Sequence, residues 1–420
     1  MRVLVVAAAV PPNAFGGSDV YADELAGALA SRHDVHVFCR GPLEPGTLVR
    51  SSTRGAVTYT TFANRPAHPR AAARRLRETL IETLDTFRPD VVHIHHLRNM
   101  PLETPRLASE RGSAVVYALH DFSLICQRTF LVTPAWTPCD GPGIVKCWDC
   151  LSRIPDFFPR TDAFARATGR SARAILAASP PRLLARRRRL RDMLAHVDLL
   201  VSPSRHLRDR MARELGLPDD ALAVSALGIA ERGPRAPIRL PGARLRVGYI
   251  GAVQFHKGVH VLLDAFRDGL DAELVVVGAA SPEFEAAKGA ELRARASVRG
   301  PVAAEHRAAA FDEIDVLVLP SVHHENAPMV IQEAFAAGVP VIGADLAGMA
   351  EAIRDGVDGL LFRPGDADDL RRVLQRVIDD RALLDRLAKG VPPVKTFAAD
   401  VAEVTMLYER ARARRARRRA

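Results

Sequence analysis

Two glutamates, Glu325 and Glu333, stand on either side of Pro328 in the stretch from Leu319 to Ala334. Carboxylates accept hydrogen bonds from vicinal hydroxyls, so the pair could hold two different sugars of one ligand. Acidic residues are common in this chain, and a bare E-x7-E pair says little. Its setting says more. A strand-like run ends at Leu319, and a helical pattern begins at Pro328, whose missing N–H suits a first helical turn. The N–H groups that follow form an anion site. Earlier in the chain, Lys257 comes after Gly251 at the start of another helical pattern. A lysine there opposes the helix dipole, which a bound anion would explain. It can meet a diphosphate as a point charge; the plainer reading is a solvent-facing lysine.

Other residues are weaker candidates. The loop Pro11 to Ser18 carries Gly16 and Gly17, which let backbone N–H groups approach an oxyanion, with Ser18 as N-cap. The alternative is a plain glycine turn. The loop lacks the spacing G-x-G-x-x-G, which disfavours a nicotinamide enzyme. His93, His95 and His96 end a strand-like run, with His93 and His95 on one face and His96 opposite. Acceptor contact is favoured there over metal binding. Cys126, Cys139, Cys147 and Cys150 are spaced C-x12-C-x7-C-x2-C. In a cytosolic protein four thiolates point to structural zinc, the alternative being a loop-rich insertion with no metal. Asp366-Ala367-Asp368 precedes an amphipathic helical pattern and reads as capping rather than as a metal-binding D-x-D.

These residues need a scaffold, and its rhythm is strand alternating with helix. That argues a parallel sheet covered on both faces, and the rhythm restarts near Arg244. Predicted domains are an N-terminal Rossmann-like domain over 1–215 and a Pro- and Gly-rich linker over 216–243. A second Rossmann-like domain covers 244–397, and a helix with a basic tail covers 398–420. The expected fold is therefore α/β, two doubly wound domains facing a cleft, with ligands at the carboxyl ends of strands. An irregular insertion at about 124–162 follows His120 and is expected to shape the acceptor pocket. The 420 residues carry a net charge of +10, with 48% apolar and 26% charged content, as in a soluble globular chain. No apolar run reaches the ~18 residues of a membrane span, and the apolar start Val3–Val10 reads as a buried strand rather than a signal peptide. Seven arginines crowd the last eleven residues, read as a disordered tail, and Arg186 to Arg191 form a second cluster.

Longer motifs now come into view. Residues 320–342 read PSVHHENAPMVIQEAFAAGVPVI, and residues 249–259 read YIGAVQFHKGV. They resemble the signature and the G-R-x4-K-G element of the retaining GT-B glycosyltransferases of family 4. GGSDVY at 16–21, VVHIHH at 91–96, LHD at 119–121 and VSPSR at 201–205 also match, so the resemblance spans nearly the whole chain. It implies that Glu325 contacts donor-sugar hydroxyls and Glu333 the ribose of the nucleotide. Backbone N–H groups over Asn326, Ala327, Pro328, Met329 and Val330 would meet the diphosphate, proline itself contributing none, and Lys257 would neutralise it. Gly16 and Gly17 would approach it from the other domain, and His120 would lie near the reacting sugar. His95, His96 and Asp121 fall on the acceptor side. The family pattern has Arg where this chain has Ala252, which puts one cation of the diphosphate site in doubt. Gln254, His256 or an arginine from elsewhere are the candidate substitutes.

The expected function is therefore retaining transfer from a nucleotide-sugar to a glycan, lipid-linked or small-molecule acceptor, in bacterial cell-surface polysaccharide or glycoconjugate synthesis. No cofactor is required for that chemistry. Alternatives are an epimerase or phosphorylase of the same fold, or a basic nucleic-acid-binding protein, which lacks recognisable nucleic-acid motifs. The expected location is cytoplasmic, peripheral at the inner face of the plasma membrane. There the Arg-rich helical pattern at Pro181–His196 would lie on anionic lipid, the alternative being a solvated basic face.

Overall fold

In the computed structural model, the described residues are 1–12, 16–64, 69–153, 179–230, 243–267, 269–302 and 307–419. They divide into two units. The first contains Met1–Ile125, Pro142–Gly228 and Thr396–Ala420; the second contains Cys126–Gly141 and Ile229–Lys395.

The first unit is built on strands β1 (Arg2–Val6), β2 (Asp34–Gly41), β3 (Val49–Arg54), β4 (Val57–Ala63), β5 (Val91–Ile94), β6 (Ala114–Ala118), β7 (Leu199–Ser202) and β8 (Leu222–Val224). Among the described residues they form one sheet in the order β3-β4-β2-β1-β5-β6-β7-β8. All neighbours are parallel except β3 and β4. The central strands are near-continuous Val, Leu and Ile, buried on both faces, as parallel sheets require. Edge strand β3, VRSSTR, is exposed along most of its length and polar, which discourages further pairing. Helices α1 (Gly17–Leu29), α2 (Pro69–Phe87), α3 (Thr104–Glu110), α4 (Ile144–Ser152), α5 (Pro180–Leu194) and α6 (Arg205–Leu215) belong to this unit.

The second unit has β9 (Leu245–Ile250), β10 (Ala272–Val277), β11 (Ser297–Arg299), β12 (Val316–Leu319), β13 (Val341–Ala344) and β14 (Gly359–Phe362). Their order is β11-β10-β9-β12-β13-β14, all parallel. The helices are α7 (Val259–Ala265), α8 (Pro282–Arg295), α9 (Arg307–Ala310), α10 (Met329–Ala336), α11 (Ala347–Ala352), α12 (Ala367–Asp379) and α13 (Arg381–Gly390). Each sheet reverses direction of growth once, between β1 and β5 and between β9 and β12. In open parallel sheets such reversal points, outside the carboxyl ends of the strands, are where ligands bind. In both units aspartates pin the register at the opposite end. Asp90 accepts from Arg2 N at 2.7 Å, Asp198 from Val115 N at 2.8 Å and Asp315 from Arg246 N at 2.8 Å.

Several expectations change. β8 lies inside the stretch read as linker and pairs with β7, because Leu222 and Ala223 are buried there; the first unit runs on to Gly228. Linker residues 231–242, insertion residues 154–162 and residues 13–15 of the glycine loop lie outside the described residues. The basic tail is not disordered. It completes α14 (Phe397–Arg419), which belongs to the first unit. Its arginines satisfy main-chain carbonyls that helix ends leave without donors. Arg415 reaches Gly112 O at 3.3 Å and Ser109 Oγ at 2.8 Å, Arg418 reaches Val197 O at 3.0 Å, and Arg410 reaches Asp220 O at 2.8 Å. Arg415 and Arg418 also stand 3.9 and 3.6 Å from the fully buried Asp198.

Candidate active site

The loops leaving β9 and β12 carry the sequence-selected residues of the second unit. The two loops touch so closely that Gly258 must be glycine, and α11 packs on the second of them so closely that Gly348 must be too. A Cβ on Gly258, at φ +72°, would lie 1.7 Å from Pro320 O. A Cβ on Gly348 would lie 2.1 Å from Asn326 O, and Gly348 N donates to Glu325 O at 2.8 Å. Val322 N adds a bond to His256 O at 3.0 Å. The Lys257 turn and the Glu325 loop thus form one rigid piece.

Within it, Glu325 Oε1 gathers three partners. Lys257 Nζ donates to it at 2.7 Å, Ser321 Oγ donates at 2.9 Å, and His323 Nε2 stands 3.1 Å away. Burial alone would raise the Glu325 carboxyl pKa, but Lys257 and His323 outweigh it and hold the group well below its ordinary value. Glu325 is therefore a carboxylate across the physiological range. Lys257 is one-third exposed or less, at 29%, so its ammonium is partly desolvated yet reachable.

Pro328 turns out to be the cap of α10 rather than a residue of its first turn. Its extended ψ of 109° delays the helix to Met329, and Ile331 N donates to Pro328 O at 3.0 Å. No side chain caps this end. Asn326, Ala327, Met329 and Val330 are all half-buried there, and Glu333 lies one turn further along α10, also half-buried. Ala252 is exposed, and its carbonyl accepts from Tyr249 OH at 2.6 Å. His256 does not replace the missing cation: burial, with His323 and Lys257 adjacent, lowers its pKa to about 3 and leaves it neutral. Asp366 accepts from Asp369 N at 2.9 Å as the N-cap of α12, the capping role read from sequence, and Asp368 lies in the first turn, where it also pairs with Arg267.

The first unit gathers a different kind of site around β1, β5 and β6. His95 N donates to Val6 O at 2.8 Å, so the chain continues the sheet just past β5. His95 Nδ1 lies 3.0 Å from His120 Nε2, with the two rings stacked at 16°. His93 lies beside His95, ring centroids 4.1 Å apart, and its Nδ1 is 2.8 Å from Tyr408 OH on α14. Burial lowers the pKa of His93 and of His120 to about 3, and that of His95 well below the usual range. His96 takes the other direction, 3.2 Å from Asp121 Oδ2. Burial would raise Asp121, but His96 and the Ser123 bonds bring it down to about 2. Gly16, not Ser18, caps α1: it is extended, and its carbonyl accepts from Asp19 N at 3.1 Å. Gly17 is the first helical residue.

Sequence reasoning passed over Ser321, His323 and Tyr408, and gave His93 no partner. The first two lie within four residues of Glu325 and could have been suspected from the motif. Tyr408 is 315 residues from His93, and no local pattern announces such a pair. Among the described residues no group of three or more His, Cys, Asp or Glu side chains is arranged to hold a metal ion. Of the cysteines read as a zinc set, Cys126 and Cys139 belong to the second unit, and Cys147 and Cys150 to α4 of the first.

The family model described as "Glycosyltransferase Family 4" matches residues 15–230, more than half of the chain, and that described as "Glycosyl transferases group 1" matches residues 244–380. The chain belongs to glycosyltransferase family 4. The enzyme is 27% identical over 434 aligned positions to a D-inositol 3-phosphate glycosyltransferase of Streptomyces avermitilis, covering 95% of this chain and 85% of the relative. It is 28% identical over 204 positions to an alpha-D-kanosaminyltransferase of Streptomyces kanamyceticus, covering 44% of this chain and 53% of that one. Among solved structures, sucrose-phosphate synthase from Thermosynechococcus elongatus superposes with a TM-score of 0.71 at 18% identity, covering 98% of this chain and 99% of that one. The Anabaena protein HepE in complex with UDP gives 0.63 at 16%, covering 97% and 100%. These likenesses show the fold, two Rossmann-like domains of the GT-B type.

Proposed function

We propose that the enzyme takes a sugar from a nucleotide-sugar held at Lys257, Glu325 and the start of α10, and passes it with retention to a glycan, lipid-linked or small-molecule acceptor. The setting would be synthesis of cell-surface polysaccharide or a glycoconjugate. One observation carries the donor reading. An ammonium, an ionised carboxylate and an uncapped helix N-terminus converge where the second sheet reverses direction. The UDP bound by the Anabaena protein agrees with it.

Breaking the anomeric C–O bond builds negative charge on the leaving diphosphate and positive charge on the sugar. Lys257 has three donors, of which Glu325 accepts one. The others, with the N–H groups of Met329 and Val330, stabilise the diphosphate as it leaves. Glu325 accepts from a sugar hydroxyl and Glu333 from the ribose. The acceptor enters on the face the nucleotide leaves, and a diphosphate oxygen takes its proton, so the reaction needs no metal. In the first unit, the family resemblance would give neutral His120, beside His95, a role toward sugar hydroxyls, and His96 with Asp121 a role toward the acceptor. A nucleotide-sugar panel tests this by donor consumption and by the anomeric configuration of the product. Loss of donor consumption in Lys257→Ala is expected; unchanged consumption counts against the site, and an inverted product against retention.

Membrane contact is a separate proposal. Leu183, Leu190, Met193 and Leu194 of α5 are buried, so the apolar side of this helix is used within the protein. Exposed Arg187, Arg188, Arg189 and Arg191 remain, with Leu184 46% exposed. No helix among the described residues is long and apolar enough to cross a membrane. Contact with anionic lipid would therefore be electrostatic and salt-sensitive. Salt-insensitive binding to phosphatidylglycerol vesicles, or none, would remove that picture. The nucleic-acid alternative loses its main support, since Arg410, Arg414, Arg415, Arg418 and Arg419 are engaged within the first unit.

A further inference from the structure

The chain leaves the first unit after Ile125, lends residues Cys126–Gly141 to the second, and returns at Pro142. This short excursion is ordered by its own backbone. Cys139 N donates to Leu131 O at 2.7 Å, Thr133 N donates to Thr137 O at 2.9 Å, and Val132 bridges Pro138. The result is a small hairpin with Trp136 at its turn, in the left-handed region at φ +59°. Leu131 and Val132 are buried, so the hairpin is docked.

Its aromatic rings meet the donor turn. Phe130 stacks on His256, centroids 4.4 Å apart at 19°, and meets His323 edge-on at 5.4 Å. Trp136 lies 6.1 Å from His256 and 6.3 Å from Phe255, and Arg128 covers its ring at 5.3 Å. His256 immediately precedes Lys257, and His323 stands against the Glu325 carboxylate. This hairpin, one part of the insertion at about 124–162, thus packs against the Lys257 turn and the Glu325 loop.

We propose that Phe130 is a positioning residue for the Lys257–Glu325 pair, acting through the imidazoles of His256 and His323. The inference rests on the donor reading above. The ring fixes the orientation of both imidazoles and shields His256 from water. An imidazolium at His256 would place a second charge beside Lys257 and compete for Glu325. The groups facing His256 are His323, Lys257, Glu325 and Arg128, of which only Glu325 favours its protonation.

The test uses the full chain as wild type, Phe130→Leu and Phe130→Tyr, with Lys257→Ala as a control. Phe130 is half-buried, and a thermal melt of each variant checks that the fold is kept. Histidine resonances are followed against pH, that of His256 being assigned with His256→Gln. His256 is expected not to titrate above about pH 5 in wild type and Phe130→Tyr, and to titrate between about pH 5 and 7 in Phe130→Leu. Donor hydrolysis should fall about tenfold in kcat/KM in Phe130→Leu, the upper end of an aromatic pair's worth, and return to within about threefold in Phe130→Tyr. A wild-type titration curve in Phe130→Leu, or rescue by leucine equal to tyrosine, overturns the proposal while Lys257→Ala still abolishes hydrolysis. If Lys257→Ala hydrolyses donor normally, the donor reading itself fails, and the positioning role fails with it.

Discussion

The two units present opposite electrostatic designs. In the second, a buried carboxylate is kept ionised by a lysine, a histidine and a serine hydroxyl around one oxygen. In the first, three imidazoles are packed together and kept neutral by burial. A fixed charge pair suits a ligand that carries charge, where oriented groups need no rearrangement as the leaving group forms. Neutral imidazoles suit hydroxyls, since each offers one donor and one acceptor without attracting counter-ions.

The largest expected break in this comparison is Lys257→Ala, which should lower kcat/KM by about 100-fold or more, as loss of a preorganised charge stabiliser does. Rates with a nucleotide-sugar panel measure it. Acidification separates the units next. The imidazoles of His93, His95 and His120 have folded pKa values below the ordinary 6.5, so the unfolded chain takes up protons first. Stability is complete above about pH 6.5 and falls as pH drops, by up to about 1.4 kcal/mol per pH unit for each such group. Glu325 and Asp121 shift downward too, but as carboxylates they keep their contribution above their ordinary values of 4.5 and 3.8 and lose it progressively only below them. Thermal melts from pH 7.5 to 5 should show the first unit failing first. Tail removal is a test of comparable size. Deleting Arg410–Ala420 leaves Asp198 buried without Arg415 and Arg418, at a cost of about 3 kcal/mol. A melt unchanged by the deletion would restore the disordered-tail view. Smallest is Tyr408→Phe, which removes the hydroxyl at His93 Nδ1 and should cost about 1 kcal/mol with little change in donor affinity.

The second unit was the more legible in sequence because its site is local. Glu325, Ser321, His323 and Pro328 share one loop, and Lys257 lies after the neighbouring strand, so alternation of strand and helix placed them together. The apolar runs of β1, β9 and β12 announced the parallel sheets for the same reason. Legibility failed where partners are distant or where packing overrides composition. The hydroxyl of Tyr21 and the carboxylate of Asp400, 2.8 Å apart, have no shared motif. β3 and β8 were missed since one is polar and the other only three residues long. The arginines of α14 read as a disordered tail by charge alone, yet helix-end carbonyls give them partners. The cysteine spacing suggested zinc, but their division between two units lies beyond what spacing encodes.

Calorimetric titration of UDP and ADP into wild type and Lys257→Ala addresses the central claim most directly. The account predicts that wild type binds at least one of the two and that Lys257→Ala binds it about tenfold more weakly or worse. Equal affinity in the two proteins would contradict the assignment of the donor diphosphate to Lys257 and Glu325.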